Sequence, residues 1–79
     1  MAITNTQIHG IAAPHHLIAA LKALNSGSSS AAAIAQTQAT LEEKKAMLAV
    51  LNSTATRVGI NSMSLSLPVK SVLLAIAGV

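Results

Sequence analysis

Three histidines, His9, His15 and His16, are the side chains in this sequence whose type suggests chemistry. His15 and His16 are adjacent, so on a regular helix they point about 100° apart and do not chelate one ion together. A metal site needs convergent ligands, yet there is no H-E-x-x-H spacing, and the two carboxylates, Glu42 and Glu43, are distant in sequence. Protonation suits these residues better, because histidine is the one ordinary side chain that titrates between about pH 5 and 8. Pro14 is well placed to begin a helix, which sets His15 and His16 in a first turn, where the positive end of the helix dipole disfavours imidazolium. If copies of the chain pack there, acid adds like charges to the contact. His9, His15 and His16 are therefore the candidates for pH sensing.

Other catalytic machinery is missing. The chain has nine serines but no Asp, no Cys and no G-x-S-x-G turn, so nothing activates a nucleophile. Gly10, Gly27, Gly59 and Gly78 stand alone and build no phosphate loop. These absences predict a protein that is not an enzyme and needs no cofactor or metal. Five cations, Lys22, Lys44, Lys45, Arg57 and Lys70, are scattered without an aromatic to stack on a base, which argues against nucleic acid as a partner. The cluster Glu42-Glu43-Lys44-Lys45 reads as a solvated helix face, or as a contact that fixes register between copies.

The elements around these residues read as all-α, with two or three helices in a single assembly subunit over residues 1–79. Residues 1–13 form a flexible, weakly helical leader broken at Gly10. Leu17, Ile18, Leu21 and Leu24 recur on one helical face, which places a first helix at about 14–25, stopped by Asn25-Ser26-Gly27. A second helix spans about 31–58: Ile34, Leu41, Leu48 and Ala55 fall seven apart, with Leu51 and Val58 filling the seam's other half. Thr40 to Glu43 also fits a capping box, so this helix has a point at which to start or restart. Residues 62–79 are an apolar tail. Ser62, Ser64 and Ser66 alternate with Met63, Leu65 and Leu67, an extended pattern, before Pro68. Val69, Val72, Leu73 and Ile76 then return to helical spacing, which leaves open a third helix at 68–78 or a buried strand from Val72.

Composition points to association. The chain is 52% hydrophobic and wholly non-aromatic, and only 9% of its residues are charged. A typical soluble domain carries roughly 25% charged residues, so this surface is poorly protected against contact with its like. Without disulfides, a chain this short has a modest core and gains from oligomerisation. The expected partners are copies of itself, packing in a homopolymer through Leu17, Leu21, Leu24, Ile34, Leu41, Leu48, Leu51, Val58, Val72, Leu73 and Ile76. No apolar run spans a bilayer, although membrane contact fits the cationic, apolar composition, as in a bacteriocin-like or lysis peptide. The N-terminal residues lack the basic and apolar regions of a secretory signal, which predicts cytoplasmic assembly or export by a signal-independent route.

Three stretches carry a resemblance. Met1-Ala2-Ile3-Thr4-Asn5-Thr6-Gln7-Ile8, the pair Ala13-Pro14, and Thr54-Ala55-Thr56-Arg57-Val58-Gly59-Ile60-Asn61 are similar to segments of Reb-type subunits of R-bodies, the coiled bacterial ribbons linked with a killing trait. The likeness covers about residues 1–63, with Glu42 to Lys45 standing where that family has a glutamine run. It implies a cytoplasmic ribbon of identical subunits that extends on acidification. Type III secretion needle subunits and pilins, also short, helical and self-assembling, are the alternative likeness.

Overall fold

A helix begins where a side chain can satisfy the free N–H groups of its first turn, and the chain does this three times with threonine. The computed structural model describes residues 3–27, 33 and 38–79. Its helices are α1 (Asn5–His9), α2 (His15–Asn25), α3 (Leu41–Leu51), α4 (Arg57–Asn61) and α5 (Leu67–Ala77), with no strand among the described residues. Thr4 opens α1 with a reciprocal capping box: its hydroxyl accepts from the Gln7 N–H at 3.2 Å, and the Gln7 carboxamide accepts from the Thr4 N–H at 2.9 Å. Thr40 and Glu43 repeat the device at α3, at 3.2 and 2.8 Å. Thr56 caps α4 by accepting from the Gly59 N–H at 3.0 Å. The Thr40→Ala variant is expected to lose about 1 kcal/mol of stability. Urea unfolding followed by circular dichroism checks this, and an unchanged midpoint would count against the cap.

The expected helix at 14–25 is α2, with Pro14 serving as the N-cap one residue before the first helical turn. Gly27 closes it at φ 76°, a left-handed conformation that glycine adopts without a Cβ penalty. The third helix is α5, with Pro68 in its first turn and Gly78 at φ 74° as its C-cap. That settles the apolar end as helix rather than strand. The leader contains α1, tied to α2 by buried Ile8 and by the Asn25 side-chain amide donating to the Ile3 carbonyl at 3.0 Å.

The single helix expected over 31–58 is a misreading. Most of its first part, including Ile34, lies outside the described residues, but its second part is two helices, α3 and α4. Asn52, Ser53 and Thr54 make the break. Ser53 has a positive φ of 60°, and the Ala49 carbonyl then accepts the N–H groups of Thr54 at 2.8 Å and Ala55 at 3.2 Å, as well as the Thr54 hydroxyl at 3.3 Å. Such short polar side chains bond the nearby backbone and compete with the helical ladder. Size makes the same point: an unbroken 28-residue helix would be about 42 Å long, whereas the longest dimension of the chain is 26 Å.

The chain folds on itself instead. Helix α1 packs on α2, α2 meets α3 and α5, and α5 also meets α3 and α4. Ile8, Leu17, Leu21, Met47, Ile60 and Leu73 lie at the centre, all at most 2% exposed. No polar or charged residue is buried with them among the described residues. The accessible surface of 4356 Å² is close to the ~4,450 Å² of a compact monomer of this mass. A core of aliphatic side chains alone reaches ordinary compactness here.

Candidate functional site

Of the side chains expected to form an assembly interface, five are already enclosed by the chain's own core. Leu17, Leu21, Leu24, Val72 and Leu73 are between 0 and 5% exposed. Helical spacing marks an apolar face but does not say whether the same chain or another covers it. Leu51 and Ile76 are half-buried against this core, and Leu48 is half-buried without packing on it. Leu41 and Val58 are the members left in the open, at 66 and 80% exposure.

Leu67, at 78%, joins them; its alternation with serine marked it as part of an extended segment and not as an interface residue. All three occupy first-turn positions: Leu41 and Leu67 open α3 and α5, and Val58 is the second residue of α4. A first-turn residue has no preceding turn over which its side chain can fold, because helical side chains lean toward the N-terminus. The overlooked signal at Leu67 was its place just before Pro68, at a helix start.

Clefts among the described residues include two of note. One, of about 190 Å³, lies where the C-terminal ends of α3 and α5 meet, lined by Val50, Ser53, Ala55, Ile76, Ala77 and Val79. The other, of about 250 Å³, lies between α1 and α2 and is lined by Asn5, Thr6, His9 and Lys22. Here the Lys22 ammonium donates to His9 Nδ1 at 3.2 Å. His15 and His16 are the first two residues of α2, exposed and half-buried respectively. They share with His9 no cluster of three metal-ligating side chains; among the described residues no such group of His, Asp or Glu exists.

Charge is managed locally. Glu42 and Glu43 sit in the first turn of α3, where the dipole favours anions, and Glu43 completes the cap. Lys70 donates to the Asn61 carbonyl at 3.0 Å, placing a cation at the C-terminal end of α4. Among the described residues, no helix is long and apolar enough to cross a membrane.

Fold and surface together define an all-α chain of short capped helices around an aliphatic core, with isolated leucine and valine side chains held outside it. Comparison with protein-family models, curated proteins and solved structures found no match.

Proposed function

We propose that this chain is a small structural subunit that assembles with copies of itself, building a filament, needle or ribbon. The observation that carries the reading is the exposure of Leu41, Val58 and Leu67, 66 to 80% each, on a chain with only 9% charged residues. Fully burying one such side chain is worth about 1.5–3 kcal/mol. Three per copy therefore supply several kcal/mol, which multiplies wherever a subunit has two neighbours. Each copy offers the same side chains, so a contact made once can be repeated, and a head-to-tail contact propagates into a polymer. The resemblance to Reb-type and needle subunits supports the same class.

In this reading the subunit is folded before it assembles, and its contacts are small patches added to a closed core. Sedimentation velocity over a rising concentration series, with negative-stain imaging of the densest sample, tests it. The expected result is a sedimentation coefficient that grows with concentration and ordered polymers in the images. A species that remains monomeric up to about 1 mM, where association is worth less than about 4 kcal/mol, would overturn the proposal. Leakage of vesicle contents by the monomer with no polymer formed would assign the chain to the membrane-active peptides instead.

A further inference from the structure

Helix α5 differs from α2 and α3 in that neither end of its dipole is offset by a charged side chain. Helix α2 has Lys22 in its last turn, and α3 has Glu42 and Glu43 in its first. The first turn of α5 has no acid and no side-chain cap, and Lys70 follows as the fourth residue. Its last turn has no base, and neither has that of α3, whose end it meets there. One end of α5 is thus electropositive, while the other, joined by the end of α3, is electronegative. Each end also carries an apolar feature. Leu67 stands at the first, 78% exposed. At the second is the cleft of about 190 Å³, lined by aliphatic side chains apart from Ser53. A cavity of roughly 150 Å³ takes benzene as a guest, so a leucine side chain, which is smaller, has room here. Leu67 and Ala77 are the first and last residues of α5, about 15 Å apart along its axis, so no copy fills its own cleft with Leu67.

We infer that Leu67 of one copy enters this cleft of the next, so that subunits stack head to tail through the two ends of α5. The inference rests on the self-assembly proposed above and gives it a junction. Ends of opposite sign meet across the contact, and burying Leu67 strengthens association at least about tenfold. Inserted side chain and cleft are different surfaces, so the contact is heterologous. Every stack then keeps a free Leu67 at one end and an open cleft at the other, and it grows. The other exposed apolar side chains suit the cleft less well. Leu41 would bring Glu42 and Glu43 against the carbonyl ends of two helices. Val58 lies three residues beyond Ala55 of the cleft wall, so a contact through it is reciprocal and closes at two copies.

The test pairs two disabled variants of the full chain. Leu67→Gln lacks the inserted side chain, and Ala77→Leu fills the cleft from its own wall. Each is expected to stay folded by circular dichroism and to raise the concentration at which polymer forms at least about tenfold. Mixed in equal amounts, where the wild-type chain polymerises, they are expected to give a heterodimer in sedimentation velocity and no polymer. One junction survives in that mixture, because the open cleft of Leu67→Gln accepts Leu67 of the Ala77→Leu chain. Ala55→Leu, from another wall of the cleft, replaces Ala77→Leu should that variant unfold. A folded, cleft-filled variant that polymerises at the wild-type threshold would overturn the junction and leave the assembly reading standing, as would a mixture without heterodimer. A wild-type chain that stays monomeric up to about 1 mM would overturn both.

Discussion

Leu73→Ala is expected to lower the stability of this chain by about 3–5 kcal/mol, the range for emptying a leucine site in a closed core. Leu73 is 0% exposed and lies on α5, the helix that meets α2, α3 and α4. The cavity would therefore open where most of the elements converge. A chain of 79 residues has roughly 4–12 kcal/mol to lose. An aliphatic core with neither disulfide nor aromatic side chain belongs toward the lower part of that range. The variant should thus be partly or wholly unfolded at about 25 °C, with weakened helical circular dichroism and a urea midpoint lower by about 3–5 M, for a slope near 1 kcal/mol/M. Leu74→Ala, the half-buried neighbour, is the control and should cost less than half as much. Equal effects at the two positions would mean that α5 is rotated from the orientation described.

The physical basis of that prediction was partly readable in the sequence. For α2, apolar spacing, a proline just before the first turn and a glycine after the end agree, and the helix falls where these signals put it; for α5, spacing and Pro68 allow a helix but leave a strand open until the fold decides. Agreement of independent local signals made α2 legible. Over 31–58 the heptad spacing and the turn residues conflict, and the turn residues prevail. Leu41, Leu48 and Ala55 are seven apart in sequence, yet Ala55 follows the break and no longer belongs to the helix that carries the other two. Asn52, Ser53 and Thr54 were the available sign, each a residue that bonds its own backbone more readily than it extends a helix. The capping box at Thr4 is a signal that the reading of 1–13 as a leader overlooks, a threonine three residues before a glutamine.

The cleft at Lys22 could not be read in that manner. His9 and Lys22 are 13 residues apart, on different helices, and no periodicity links them. Their meeting depends on the turn at Gly10 to Pro14, which folds α1 back onto α2 with Ile8 facing inward. A sequence shows that three histidines exist; the fold makes one of them different from the other two. The exposed leucines and valine pose a similar problem, since the seam that included Leu41 and Val58 also included Leu51, which the core half covers.

Those exposed positions give the second large effect. The triple variant Leu41→Gln, Val58→Gln and Leu67→Gln is expected to remain folded and to lose assembly. Glutamine is chosen for two reasons. It is a good helix former, so three first-turn substitutions at exposed sites should change stability by no more than about 0.5 kcal/mol each. It is also uncharged, so the formal net charge stays at +3 and any change in polymerisation is not a charge effect. On the association side, each replacement removes about 1.5–3 kcal/mol of apolar burial at a full contact. Losing even 1.5–2 kcal/mol at each position adds to about 4.5–6 kcal/mol, or roughly 10³- to 10⁴-fold in the dissociation constant. Sedimentation velocity and negative stain should show a monomer where the wild-type chain polymerises, with the unfolding midpoint little changed. Should the triple variant lose its helical signal, Val58→Gln alone carries the test, because Val58 is the most exposed of the three at 80%. Polymers that form at the wild-type threshold in a folded triple variant would place the contacts elsewhere and remove the observation on which the assembly reading stands.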